Sequence, residues 1–217
     1  MTIEPVAFFR SPISGKFGIP RQPGVVEELR GCVEFTKEYA RPEALRGLGE
    51  FDYVWLIWGF SLNRESEGHL TVRPPRLGGN ERTGVFASRS PYRPNRLGLS
   101  SVRIASVDLE RCVINVLGAD LADGTPIFDV KPYLEYADSH TGIRSGFVDG
   151  SEWQELEVRI PDATASELAP EELASLRGIL AQDPRPRYQD DPERVYGITF
   201  AGRDVKFKVE DGILTVL

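Results

Sequence analysis

Short apolar runs separated by turn residues fill the first two thirds of this 217-residue chain. The run FDYVWLIWGF at 51–60 has no polar alternation, which is typical of a strand covered on both faces or of a barrel stave. Residues 41–47 predict one short helix, because a proline lies early and a glycine late. The remaining strand-like runs lie at 5–9, 25–35, 99–109, 112–117 and 127–133, the last as an edge strand. This pattern predicts a mainly β fold, a barrel or a sandwich.

The last third of the chain has a different pattern. Residues 152–158 predict one more strand that closes the first domain. Pro170 opens the best helix, whose apolar residues share one face; they are Leu173, Leu176, Ile179 and Leu180. Strand-like runs follow, with Asp211 and Gly212 as a tight turn. We therefore expect a barrel domain over residues 1–159 and a small α+β domain over residues 160–217.

Composition excludes several classes of protein. Hydrophobic residues make up 41% and charged residues 27%, as in ordinary soluble globular proteins. The two cysteines, Cys32 and Cys112, predict buried thiols in a reducing cytosol and neither a disulfide framework nor a zinc site. The longest apolar run has about eight residues against the ~20 of a membrane helix, and the first residues do not resemble a signal peptide. We therefore expect a cytoplasmic protein without a membrane span.

Residues 72–98, the arginine-rich segment, contain six arginines and one glutamate in a chain with a formal net charge of −7. Clustered arginine in an acidic protein indicates an anionic partner. Prolines and glycines exclude regular helix over most of the segment, and we expect two loops around a short strand at 84–89. The alternative is a stiff surface loop whose arginines pair with acidic residues elsewhere.

Common catalytic motifs are missing from the sequence. It contains no P-loop, no dinucleotide-binding G-x-G-x-x-G after a strand, no G-x-S-x-G and no EF-hand loop. The 15-residue loop at 10–24 is long enough to favour a functional role. What remains is a surface of arginines, turns and a few carboxylates that could position a molecule already reactive.

Six motifs in a fixed order resemble the TsaA-like (TrmO) tRNA methyltransferases. They are PRQP at 20–23, TVRPPRLGGN at 71–80, GVFA at 84–87, RPN at 93–95, DGTP at 123–126 and DPRP-x-Y at 183–188. The resemblance covers nearly the whole chain. It implies a TsaA-like β-barrel, a homodimer, and S-adenosylmethionine-dependent methylation of N6 of threonylcarbamoyl-adenosine beside the anticodon of tRNA.

The resemblance also implies which residues line the cofactor pocket; they are Pro20, Arg21, Gln22, Arg89, Leu99, Asp120, Leu121, Asp123 and Gly124. An arginine could hold the methionine carboxylate, and a carboxylate could accept the ribose hydroxyls. The alternative for Asp120 and Asp123 is a pair of turn-forming acids that bond their own backbone. We expect a structural role for Asp123, whereas the role of Asp120 stays open. No metal is expected, because methyl transfer from a sulfonium depends mainly on positioning.

The family correspondence leaves further residues for catalysis and RNA binding. Arg93 and Asn95 are hypothetical candidates for assisting the loss of the N6 proton. The predicted tRNA contacts are Arg73, Arg76, Arg185 and Tyr188. The alternative for residues 183–188 is that they only end the helix and pack on the barrel. A rival function is a non-catalytic RNA- or anion-binding barrel that binds S-adenosylmethionine as an effector.

Overall fold

The computed structural model describes residues 2–63, 70–74, 81–150, 154–185 and 191–217. The N-terminal part contains one short helix, α1 (Pro42–Leu45), and mostly strands. These are β1 (Ala7–Arg10), β2 (Arg30–Phe35), β3 (Tyr53–Gly59), β4 (Thr71–Val72), β5 (Thr83–Gly84), β6 (Leu97–Asp108), β7 (Val113–Leu117) and β8 (Pro126–Pro132). Strands β4 and β5 pair with each other, and the other six form a closed barrel in the order β1-β2-β7-β6-β3-β8. The predicted mainly β barrel is confirmed.

Strand β3 shows how the apolar run at 51–60 is used. Val54 and Leu56 are fully buried and Trp58 is 6% exposed, so every second side chain points into the barrel. The run is therefore a barrel stave. Strand β8 pairs with both β1 and β3, so the expectation of an edge strand at 127–133 is wrong, because a closed barrel has no edge.

Three other expectations about local structure are corrected. The strand predicted at 84–89 is wrong beyond Gly84, since Val85–Ala87 form a 3-10 helix that buries Val85. Strand β2 begins at Arg30 and not at residue 25, because residues 25–29 form a turn. Cys112 is buried as expected, but it lies at a turn with φ 53° ahead of β7. In each case apolar residues predicted a strand, whereas in the structure the apolar side chains are buried from a turn or a 3-10 helix.

The C-terminal part is a small α+β unit. A short helix, α2 (Glu135–Asp138), precedes this unit. The unit comprises β9 (Glu157–Arg159), α3 (Asp162–Ala165), α4 (Pro170–Ala181), β10 (Tyr196–Phe200), β11 (Arg203–Glu210) and β12 (Ile213–Val216). The four strands form a sheet in the order β10-β11-β12-β9, and α4 contributes Leu176, Ile179 and Leu180 to its core. Asp211 and Gly212 have φ of 46° and 77°, which confirms the tight turn.

Strand β9 belongs to this second sheet. It pairs in parallel with β12, so the expectation that residues 152–158 close the first domain is wrong. The physical reason is that β1 and β8 already close the barrel by pairing with each other, which leaves no edge for another strand.

The loop that follows β1 joins the barrel to the C-terminal sheet. Ile13 forms an isolated bridge with Phe200, and the Ala201 backbone N–H donates to the Pro12 carbonyl at 2.8 Å. Ile13, Val26 and Leu29 are buried in the same core cluster as α4 and the C-terminal strands. The second core therefore combines residues from both ends of the chain and does not follow the predicted division after residue 159.

The joint between the two parts can be tested by truncating Ile13, which is 1% exposed. Ile13→Ala should lower the free energy of unfolding by about 2–4 kcal/mol, since it removes buried methyl groups and leaves a cavity. Urea denaturation measures this change. The matched control is Ile3→Ala, at a side chain that is 46% exposed; equal effects at both positions would contradict the shared core.

Candidate functional site

Three segments far apart in the sequence meet at Arg89. Its Nη1 donates a hydrogen bond to Oε1 of Gln22, in the loop that follows β1. Its positive charge also lowers the pKa of Asp120, in the turn that follows β7. The Gln22 amide donates in turn to the Arg21 carbonyl at 2.5 Å. The structure thus brings together four of the residues predicted to line a cofactor pocket.

Asp120 is the most perturbed carboxylate of this site. Its pKa is raised from 3.8 to about 6, because the effect of burial exceeds the opposing effects of hydrogen bonds from Ser100 and from its own backbone and of the charge of Arg89. Ser100 Oγ donates to Asp120 Oδ1 at 2.6 Å. At pH 7 the group is therefore mostly ionised, and it can accept hydrogen bonds from hydroxyl or amino groups of a ligand.

Two residues that the sequence patterns did not single out support Asp120. Ser100 is 1% exposed on β6, and Trp58 Nε1 donates to its Oγ at 2.9 Å. Trp58 lies opposite Gly98 in the β3–β6 register, and a Cβ at Gly98 would lie 2.3 Å from Trp58 Cε2. Glycine is needed there because the indole ring occupies that space. A serine at an inward position of a barrel strand is the available signal, since buried hydroxyls require partners.

Asp123 and Gly124, in the turn at 120–124, make hydrogen bonds that hold this turn in place. Asp123 Oδ1 accepts a hydrogen bond from the Ser11 backbone N–H at 3.2 Å. The backbone N–H groups of Asp123 and Gly124 donate to the carbonyls of Ile13 and Phe9, both at 2.8 Å. These bonds tie the turn to the loop that follows β1, and they support the structural role expected for Asp123.

The other residues expected around the cofactor differ in exposure. Pro20 and Leu121 are buried, and Leu121 lies in the barrel core. Leu99 is an apolar side chain on a barrel strand, yet it is 57% exposed. Of these three residues, only Leu99 offers an exposed apolar surface, next to Ser100 in the chain.

Arg93 and Asn95, the candidates for catalysis, lie in the loop before β6. Arg93 Nη1 donates to the carbonyls of Val85 at 3.2 Å and Ser88 at 2.6 Å, and its Cζ lies 5.8 Å from the Phe86 ring centroid. Arg93 thus fastens the 3-10 helix that precedes Arg89. Asn95 is exposed. Their catalytic roles stay predictions.

The residues predicted to contact tRNA have different surroundings. Arg73 is exposed, whereas Arg76 and Tyr188 lie outside the described residues. Arg185 is paired with Asp183 at 2.8 Å, its side chain is 12% exposed, and its Cζ lies 5.9 Å from the Tyr196 ring centroid. At Arg185 this arrangement agrees with the alternative only in part: the segment follows the end of α4, but the contacts of Arg185 with Asp183 and Tyr196 lie in the C-terminal unit and not on the barrel.

Two grooves lie apart from these residues. One, of about 530 Å³, is lined by residues 24–28, residues 155–158 and one side of α4, and a second, of about 330 Å³, contains Phe17 and Lys206. In the described ranges, no group of three or more histidine, cysteine or acidic residues could hold a metal ion. Nor does any helix there have the length and apolar character needed to cross a bilayer.

The buried charge of Asp120 predicts how stability depends on pH. Its pKa of about 6 lies above the ordinary 3.8, so ionisation destabilises the folded state as the pH rises through this window. Asp120→Asn keeps an acceptor for Ser100 and removes the charge. We expect it to raise the free energy of unfolding by about 1–2 kcal/mol at pH 7.5, and to have little effect near pH 4.

Chemical denaturation at the two pH values measures this difference. The control is Asp52→Asn, at an exposed aspartate, which should behave like the unsubstituted protein at both. A destabilisation by Asp120→Asn at pH 7.5 would contradict the assignment of a buried, unfavourable charge.

Comparison with known proteins adds independent information. The family model described as the tRNA-methyltransferase O N-terminal domain matches residues 8–139, and the TrmO C-terminal domain model matches residues 153–217. The tRNA (adenine(37)-N6)-methyltransferase of Escherichia coli K12 is 37% identical over 218 residues, which cover 96% of this chain and 93% of the relative. A protein of Pseudomonas aeruginosa, named as an S-adenosylmethionine-dependent methyltransferase, RcsF, is 39% identical over 94% of this chain and 90% of its own length.

Solved structures that resemble this chain come from the same family as these relatives. A crystal structure of TrmO from Pseudomonas aeruginosa has a TM-score of 0.80 and 29% sequence identity, covering 100% of this chain and 97% of that one. The similarity thus extends over both the barrel and the C-terminal sheet. On these grounds the chain belongs to the TrmO family of tRNA methyltransferases.

Proposed function

We propose that this protein is an S-adenosylmethionine-dependent methyltransferase that methylates N6 of adenine 37 in tRNA, next to the anticodon. The observation that carries this proposal is the extent of the match. The Escherichia coli enzyme named for this reaction aligns with 96% of the chain, so both the barrel and the C-terminal domain are retained. The finer substrate we propose is the threonylcarbamoyl form of this adenosine.

The residues around Arg89 fit S-adenosylmethionine. Arg89 offers a guanidinium for the carboxylate of the methionine part, and Asp120 offers an acceptor for hydroxyl or amino donors. The exposed Leu99 offers an apolar surface for a base. Gln22 and Arg21 would complete the site from the loop that follows β1. When bound, the cofactor supplies an electrophilic methyl group on a sulfonium.

The contribution of the protein is mainly orientation. Gln22, Arg89 and Asp120 are held by hydrogen bonds or by charge before any ligand arrives, which reduces the entropy lost on reaching a reactive geometry. Arg93, anchored through Nη1, and Asn95 are the groups we assign to the carbamoyl or carboxylate oxygens of the modified adenine. A hydrogen bond to these oxygens would favour loss of the N6 proton.

We further propose a cytoplasmic homodimer. Support comes from Phe86, an apolar side chain that stays 73% exposed next to Arg93. A second copy that covers Phe86 would remove this surface from water. The cytoplasm is where tRNA would be available to the enzyme. Sedimentation of the purified protein tests the dimer, and a monomer at micromolar concentration would contradict it.

Mass spectrometry of tRNA digests tests the activity. After incubation with S-adenosylmethionine, the threonylcarbamoyl nucleoside should gain the mass of one methyl group. Arg89→Ala should reduce turnover at least about tenfold, because it removes a charge-assisted contact and releases Gln22. The matched control is Arg111→Ala, whose side chain is 84% exposed at the β6–β7 turn and should be neutral.

The rival function predicts a different result in the same assay. A non-catalytic RNA-binding barrel would bind S-adenosylmethionine and tRNA without any mass gain. No mass gain across a panel of threonylcarbamoylated tRNAs, with cofactor binding intact, would therefore overturn the enzymatic proposal.

The arginine-rich segment predicts salt-dependent tRNA binding. Arginines that contact phosphates release bound counterions, so affinity should fall steeply between about 50 and 200 mM salt. Filter binding or fluorescence anisotropy measures the slope of log K against log[salt]. Exposed Arg73, substituted by alanine, should reduce the slope by about one, whereas a slope near zero in the parent protein would contradict a tRNA partner.

A further inference from the structure

We infer that Trp58 and Ser100 are positioning residues that orient the carboxylate of Asp120 for ligand binding. This inference rests on the proposed function only for the identity of the ligand, S-adenosylmethionine. Both lie inside the barrel wall, with Ser100 at 1% and Trp58 at 6% exposure, so they act through Asp120 and do not touch the cofactor.

The direction of each hydrogen bond follows from the chemistry of the three groups. The indole N–H of Trp58 can only donate, so Ser100 Oγ must accept at the 2.9 Å contact. The single hydroxyl proton of Ser100 is then committed to Asp120 Oδ1, at 2.6 Å. Oδ1 is therefore an acceptor whether or not Asp120 is protonated. Proton exchange is left to Oδ2, and Oδ2 together with the second lone pair of Oδ1 can accept hydrogen bonds from a ligand.

Packing keeps this relay in one arrangement. The Trp58 ring lies over Gly98, where even a methyl group would come within 2.3 Å of it, and its centroid lies 4.4 Å from that of Phe60 in an edge-to-face contact. The β3–β6 register places Ser100 opposite Leu56, which is fully buried. Because the ring is closely packed and the Ser100 hydroxyl is hydrogen-bonded to both Trp58 and Asp120, the carboxylate is held before a ligand binds.

The relay also sets the charge of Asp120. Burial is the main reason that the pKa of Asp120 is raised to about 6, and the bond from Ser100 is the largest of the effects that oppose this rise. A backbone hydrogen bond and the charge of Arg89 lower the pKa as well. Without the serine hydroxyl, burial would act with less opposition, and the pKa would move toward neutrality. A larger protonated fraction at pH 7 could no longer accept a ligand donor at full strength.

Three substitutions separate positioning from simple structural support. Ser100→Ala removes the hydroxyl, Ser100→Thr keeps it, and Trp58→Phe removes only the indole N–H. Calorimetric titration of S-adenosylmethionine from pH 5 to pH 9 should show affinity rising through about pH 6 in the parent protein. In Ser100→Ala the rise should move to higher pH, with affinity at pH 7 lower by about tenfold. Ser100→Thr adds one methyl group but keeps the hydroxyl, so in the folded variant the rise should stay at the parent pH. Trp58→Phe should give a smaller shift of the same sign as Ser100→Ala.

A second measurement works without cofactor. Carbon-13 NMR of labelled aspartate carboxyls, with Asp120→Asn used for assignment, reports the pKa of Asp120 in each folded variant. A raised pKa in Ser100→Ala supports the inference, and an unchanged one overturns it, even if affinity falls. If the parent protein binds no S-adenosylmethionine, the proposed function fails instead, while the NMR titration still decides the role of Ser100. Thermal unfolding shows which variants are folded.

Discussion

Closure of the barrel is the constraint on which the candidate site depends. The hydrogen bonds from β8 to both β1 and β3 leave no free strand edge, so the register between β3 and β6 cannot slip without breaking the ring. That register places Trp58 over Gly98 and turns Ser100 inward. A shift by one residue would point Ser100 outward and Leu99 into the core. The chemistry at Asp120 is therefore a consequence of strand pairing many residues away.

The buried charge of Asp120 and the packing of the barrel interior have opposite effects on the stability of the fold. The barrel interior stabilises the fold through fully buried side chains such as Val54, Leu56 and Ile114. Asp120 destabilises it, because its carboxylate is ionised in a partly dry environment at neutral pH. A destabilising buried charge is expected where the charge serves ligand binding. The hydrogen bond from Ser100 and the charge of Arg89 limit the loss of stability. A perturbed carboxylate beside an arginine is what a pocket for a charged cofactor requires.

Much of the fold could be predicted from sequence, since apolar runs and turn residues locate strands without tertiary information. The apolar run of β3, the short helix α1 and the Asp211–Gly212 turn were predicted correctly for this reason. Errors arose where burial comes from a distant contact. Val26 and Leu29 look like strand residues, yet they are buried as turn residues in the C-terminal core. Local patterns carry no information on such contacts.

The site shows the same division between local and distant information. The family resemblance implied Gln22, Arg89 and Asp120 as lining residues, and the structure brings these three together. Trp58 and Ser100 belong to no motif, and only the barrel register reveals that they meet. Arg185 is a predicted tRNA contact, but its ion pair with Asp183 could not be inferred from the sequence.

The loop between β1 and β2 shows that the barrel and the C-terminal unit are not structurally independent. Ile13 is fixed to Phe200, and an Arg21 guanidinium nitrogen lies 3.4 Å from the Asp183 carbonyl, so the C-terminal unit holds both sides of the segment that leads to Gln22. The C-terminal sheet is thus part of the scaffold of the proposed cofactor site. A barrel separated from it would keep Asp120 and Ser100 but lose the anchor of Gln22 and Arg21, which makes the two units one functional body.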